Sequence, residues 1–189
     1  MRRCLDKQTN RQTDKQTNRQ TDKQTNRQTD KQKEKSKNLL IPNFIISIYR
    51  FGNGLIIHGG VRKKLLWPLY KFLDLIFLRF IFNIEIPAQT KIGWGLRIGH
   101  PSGIIINENA VIGENFSIQN QTTIGDASLW GTPTGSPTIG NNVSVGVGAR
   151  VLGNIKVGDN VKVGANAVVL KDCAEGSVMV GIPARDVQK

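Results

Sequence analysis

The sequence predicts a mainly β solenoid, and two observations carry that expectation. An aliphatic residue returns every sixth position: Ile86, Ile92, Ile98; then, two residues out of phase, Ile106, Ile112, Ile118, Ile124; then Ile139, Val145, Val151, Val157, Val163, Val169. Glycine follows many of them, as in Ile92-Gly93, Ile112-Gly113, Ile139-Gly140 and Val163-Gly164. A six-residue period is neither the 3.6 of a helix nor the two of a plain strand. It fits short strands and turns, with one aliphatic side chain per six-residue side in the core and a small residue at the corner. Three sides per coil give about four or five coils, each paired with the coils above and below it.

Ahead of the solenoid the chain has two further parts. Residues 1–38 repeat Asp-Lys-Gln-Thr-Asn-Arg-Gln-Thr without error from Asp6, Asp14 and Asp22 and begin it again at Asp30. This stretch cannot bury a core and is expected to be disordered. Its exactness points to the DNA: GAC AAA CAG ACA AAC AGA CAA ACA encodes the octapeptide and is one word, GACAAACA, read through successive frames. Because the word is not a multiple of three long, gain or loss of one copy would shift the frame. We therefore expect a phase-variable gene, as for bacterial surface-modifying enzymes, with copy number varying between single colonies.

The net charge of the 189-residue chain is +12, of which the tail supplies +7 from twelve Lys/Arg and five Asp/Glu. No nucleic-acid partner is expected, because the tail has no aromatic residue to stack on bases and the rest is only mildly basic. Cys4 and Cys173 are the only cysteines, which argues against a disulfide framework. With no apolar signal core after Met1, a cytoplasmic, reducing location is expected.

Residues 39–84 are read as a helical preface, with helices over Ile45 to Ile57 and Lys63 to Phe82 joined at Gly59-Gly60. The run from Leu65 to Phe82 is apolar, but Lys71, Asp74 and Arg79 inside it would each cost about 2.5–3.5 kcal/mol at a bilayer centre. A packing helix at a subunit contact is expected, with peripheral membrane contact through residues 63–82 as the second reading. His58 is read as a structural or surface histidine.

Residues 85–189 form the solenoid domain and hold the candidate site. The hexad opened by Ile98 runs through His100-Pro101-Ser102-Gly103 and is two residues longer than the others, so it must bulge and lift His100 off the wall. A histidine held there suits a general base, since imidazole titrates closest to neutrality. Glu85 lies fifteen residues earlier, somewhat under one coil, where its carboxylate would sit beside the imidazole and fix its tautomer.

From about Asn43 onward the sequence resembles the hexapeptide-repeat acyltransferases with a left-handed parallel β-helix, and among them the serine acetyltransferases. The matching stretches are Tyr49-Arg50-Phe51-Gly52-Asn53, Ile86-Pro87-Ala88, Lys91-Ile92-Gly93, His100-Pro101-Ser102-Gly103-Ile104 and Ala110-Val111-Ile112-Gly113. Gly146 to Asn154 and Gly181-Ile182-Pro183-Ala184-Arg185 complete them. The resemblance implies direct transfer of acetyl from acetyl-CoA to a hydroxyl, with no covalent intermediate and no metal. It implies His100 as general base and Glu85 where the family usually pairs an aspartate with that histidine. It also implies a homotrimer whose intersubunit groove takes the pantetheine arm, lined here by Gly125, Gly146, Val147 and Ala165, with Arg185 near the end.

Departures from the family bear on the acceptor. Gly99 stands where serine acetyltransferases have an acidic residue before the histidine, and Gly135-Ser136-Pro137 where they have Arg-His-Pro. The loop Asp126 to Thr138, with Trp130, offers an indole face instead. The expected acceptor is therefore a sugar hydroxyl of a surface polysaccharide or its precursor, with L-serine as the alternative. A non-catalytic scaffold is the reading from another class.

Overall fold

The structure, a computed structural model, describes residues 40–127 and 135–188. The repeat tail, Trp130 and most of the loop that carries it lie outside the described residues.

Helix α1 spans Leu40–His58. Gly59, at φ 53, breaks it, and α2 (Gly60–Leu73) leads directly into a π-helical segment, Asp74–Ile81. Both helices start earlier than the apolar spacing predicts. Pro42 accounts for the first, since a proline in the opening turn removes an N–H that would be unpaired anyway. Pro68 lies inside α2 without ending it.

Each polar residue of the Tyr49-to-Asn53 motif fastens α1 to the first coil. Tyr49 Oη donates to the Thr90 carbonyl at 2.6 Å, and Arg50 donates to the carbonyls of Ile92 and Gly93. Asn53 Nδ2 donates to the Ala88 carbonyl at 2.8 Å. Gly52 is where α2 crosses, because a Cβ there would run into the Tyr70 ring. By length and composition α1 is apolar enough to cross a membrane, with mean hydropathy 1.3. Yet Ile45, Ile48, Tyr49 and Leu55 are buried in the core that continues into the coils. That packing accounts for one face of α1, while Leu40, Ile41, Phe44 and Ile57 are exposed.

Three parallel sheets follow. The first stacks β1 (Lys91–Ile92), β4 (Val111–Ile112), β7 (Thr138–Ile139) and β10 (Lys156–Val157). The second stacks β2 (Arg97–Ile98), β5 (Ser117–Ile118), β8 (Ser144–Val145), β11 (Lys162–Val163) and β13 (Val178–Val180), and ends on β14 (Arg185–Asp186), which runs antiparallel to β13. The third stacks β3 (Ile105–Ile106), β6 (Thr123–Gly125), β9 (Arg150–Leu152) and β12 (Val168–Val169). They are the faces of a left-handed parallel β-helix of hexapeptide repeats.

The pairing register records every irregularity of the hexads. Ile105 pairs with Thr123, and Thr138 with Lys156, a step of eighteen residues, or three sides of six. Lys91 pairs with Val111 and Arg97 with Ser117, a step of twenty that absorbs the two extra residues after Ile98. Ser117 pairs with Ser144 and Thr123 with Arg150, a step of twenty-seven that absorbs the loop after β6. In each case the surplus is extruded at a corner and the inward phase is kept.

All thirteen hexad aliphatics are buried, but they are only half of the core. A second inward column stands two residues before each: Ile84, Leu96, Ile104, Ala110, Phe116, Val143, Ala149, Ile155, Val161 and Ala167, with Thr90, Thr122 and Pro137 in the same register. Each side therefore contributes two inward side chains rather than the one that the period suggests. The buried threonines are satisfied by backbone carbonyls, Thr122 Oγ1 donating to Gln119 O at 2.9 Å and Thr90 Oγ1 to Asn107 O at 3.3 Å. The corner glycines also have a second reason to be glycine. A Cβ on Gly93 would lie 2.7 Å from the backbone of Gly113, and one on Gly113 would lie 2.7 Å from that of Gly140. It is the close approach of the next coil, more than the bend, that excludes a side chain.

Cys173 closes the lower core, and burial pushes its thiol up to about 11. The thiol form is thus favoured in the folded state, so this group supports folding fully below its ordinary value of 9.0. That contribution is lost as pH rises from there through about 11. Under native conditions at pH 8 the Cys173 peptide should stay unalkylated, and it should label fully in denaturant, as mass spectrometry can read.

Candidate active site

The lengthened hexad does what its sequence suggests. His100 is exposed and sits at φ 50, in the left-handed region. The other non-glycine residues there are all amides: Asn83, Asn115, Gln121, Asn142, Asn160 and Asn166. Histidine is thus the one ionisable side chain that the described chain holds in this conformation. Backbone bonds clamp the corner around it. Gly99 N–H donates to Ile118 O at 2.8 Å, Gln121 N–H to Ser102 O at 2.9 Å, and Gly103 N–H to Phe82 O at 3.3 Å. Among the described residues the imidazole itself has no hydrogen-bond partner.

Glu85 opens the third face. Its N–H donates to Ile104 O and its carbonyl accepts from Ile106 N–H, both at 2.8 Å, so it lies one coil away from Ile105. The stack therefore brings Glu85 onto the strand row that the His100 corner feeds. Its carboxylate, however, is half exposed and ion-paired to Arg79 at 3.2 Å, and no hydrogen bond joins it to His100. Arg79 in turn is anchored by the buried Asp74 at 3.0 Å. These two partners hold the guanidinium pKa above its usual value, the Asp74 hydrogen bond contributing most. Sequence reasoning missed this chain of Asp74, Arg79 and Glu85. Its geometry depends on the π-helical segment, for which the residues carry no signal.

The proposed groove residues fall into two groups. Gly99, Gln119, Gly146 and Gly164 are stacked in register through N–H bonds to Ile118, Val145, Val163 and Met179, so His100, Asn120, Val147 and Ala165 form the next column. Gly146, Val147 and Ala165 therefore share His100's corner, two and three coils along the stack. Arg185 pairs with Val180 at the end of the same sheet. Gly125 does not join them: it is buried at the far end of β6, on the opposite edge of the third face. Such a corner, a protruding base above a ladder of small residues, can lay an extended ligand along the stack. Among the described residues no group of three or more His, Cys, Asp or Glu is placed to hold a metal ion.

Gly99 and Gly135 are informative in themselves. A side chain at Gly99 would collide with the carboxamide of Gln119, which occupies the space before the histidine. Gly135 sits at φ 135, and its N–H donates to Asp126 at 3.3 Å.

Residues 136–171 match the family model for the bacterial transferase hexapeptide (six repeats). Serine acetyltransferase of Helicobacter pylori strain J99 is 47% identical over 111 residues, covering 59% of this chain and 64% of the relative. Over these residues the chain is similar to the serine acetyltransferases. The Synechococcus elongatus serine acetyltransferase is 40% identical over 113 residues, 59% of this chain and 45% of the relative. Among solved structures, a Neisseria gonorrhoeae serine acetyltransferase in complex with serine aligns with TM-score 0.63 and 32% identity, covering 78% of this chain and 57% of that one. A serine acetyltransferase in complex with CoA aligns with TM-score 0.61 and 34% identity, covering 75% and 55%. This serine acetyltransferase-like chain thus spans less than two thirds of the length of the curated relatives it matches.

Proposed function

We propose that the chain is an acetyl-CoA-dependent O-acetyltransferase, with L-serine as the acceptor that the names of its relatives support. The observation that carries the reading is His100 lifted on its strained corner at the head of the column formed by Val147 and Ala165. His100 takes the proton from the acceptor hydroxyl as that oxygen attacks the thioester carbonyl. The tetrahedral intermediate then expels the thiolate of CoA, which receives the proton from the imidazolium. Glu85, on the strand row that the His100 corner feeds and held there by Arg79, contributes its negative charge to the imidazolium through space. The pantetheine arm runs down the corner column, against Gly146, Val147 and Ala165, and a neighbouring subunit of a homotrimer supplies the other wall.

A second acceptor, a sugar hydroxyl, is favoured by Gly99 with Gln119 beside it and by Gly135-Ser136-Pro137. Together they remove the charged groups that would meet a zwitterion. A phase-variable gene is in keeping with this reading. Thiol release from acetyl-CoA by the purified protein, with L-serine and with surface oligosaccharides in parallel, tests both. Turnover on serine is expected; turnover on a saccharide alone would transfer the assignment to the second acceptor, and none on either would overturn acetyl transfer.

A further inference from the structure

The outer face of α2 and of the segment after it is apolar and open. Val61, Leu65, Leu69, Phe72 and Leu75 recur at steps of four, four, three and three residues, so they line one stripe of the helix, and Phe80 extends it. Val61, Leu65 and Phe80 are 81%, 75% and 84% exposed. The opposite face, through Tyr70, Asp74 and Leu78, is the one buried against the rest of the protein. Exposed apolar stripes of this size mark an interaction surface.

The charges beside the stripe identify its partner. Arg62 flanks it on one side and Lys64 and Lys71 on the other, all exposed. Asp74 is the only acidic residue from Gly60 to Ile81, and it is buried and paired with Arg79. Next to the stripe, an open groove of ≈ 680 Å³ is lined by Gly60, Val61, Lys63, Lys64, Trp67 and Pro68. Lys63 and Lys71 reach over the Trp67 ring at 5.3 and 5.5 Å. Apolar side chains between cations, with no exposed anion, complement an interface of acyl chains and phosphate headgroups. A second copy of the chain is disfavoured, because pairing two such faces would set these cations against their own kind.

We propose that α2 and its π-helical extension lie on an anionic phospholipid surface, with the stripe of Leu65 and Phe72 in the headgroup boundary and Lys64 and Lys71 on the phosphates. The helix lies in the plane of the surface and does not span it.

The test is co-sedimentation of the full chain with vesicles of phosphatidylcholine, with and without phosphatidylglycerol, at low and high salt. Two variants are compared, Leu65→Asp with Phe72→Asp, and Lys64→Glu with Lys71→Glu. All proteins keep the basic tail, so its own attraction is common to them. The parent should bind only the phosphatidylglycerol vesicles, and each double variant should bind about tenfold less or worse, with unchanged circular dichroism. Equal binding by the Leu65/Phe72 variant would assign the binding to the tail and overturn the proposal. So would absence of binding, or a variant that changes only the sedimentation coefficient in solution, which would mark the stripe as a contact between copies. None of these readouts depends on acetyl transfer.

Discussion

Replacing His100 by asparagine is expected to lower acetyl transfer by about 10²–10⁴-fold while the fold stays intact. Asparagine is the informative choice because the chain already places it at the same backbone conformation, at Asn115, Asn142, Asn160 and Asn166. It therefore removes the base without adding strain. Alanine has no polar side chain to support φ 50 locally, so it would confound the loss of the imidazole with a shift of the corner. The affinity for acetyl-CoA should change little, since the column of Gly146, Val147 and Ala165 is untouched. Steady-state kinetics and thermal melting of both variants separate the two effects. An asparagine variant that keeps parent turnover would remove His100 from the chemistry.

Phe116→Ala is expected to cost about 3–5 kcal/mol of stability. Phe116 is fully buried and belongs to the second inward column. Its coil is pinned by the Arg97 N–H bond to Phe116 O at 2.8 Å on one side and the Ser117 N–H bond to Val143 O at 2.9 Å on the other. Those ladders keep the neighbouring coils at fixed spacing, so the wall cannot collapse into the space left behind. The melting temperature should fall by roughly 10 °C. A loss below about 1 kcal/mol would mean that the coils do close around the void.

How much of this was legible in the residues can be argued position by position. The six-residue beat gives the faces, and its two defects, after Ile98 and after Ile124, reappear as register steps of twenty and twenty-seven. A phase shift in a solenoid has nowhere to go but outward at a corner, which is why the His100 bulge could be read in advance. The second inward column was not legible, because it mixes Phe116, Ala110 and Thr122 and so has no common residue type. Arg79 was hidden for another reason. In a regular α-helix Asp74 and Arg79, five apart, face different sides, and only the wider π-helical turn brings them together. Gly125 shares the Ile-Gly pattern of the corner residues, so sequence could not tell that it belongs to the other end of a face.

The antiparallel return of β14 at the foot of the second face and the helix laid across the first coil have one joint consequence. A stack of identical rungs has no intrinsic length, and its last rung offers bare N–H and C=O groups to any other chain. Here Arg185 and Asp186 run backwards along the final rung, while Tyr49, Arg50 and Asn53 occupy carbonyls of the first. The two ends are therefore unlike and unlike the middle, which stops the molecule from polymerising end to end into a fibre.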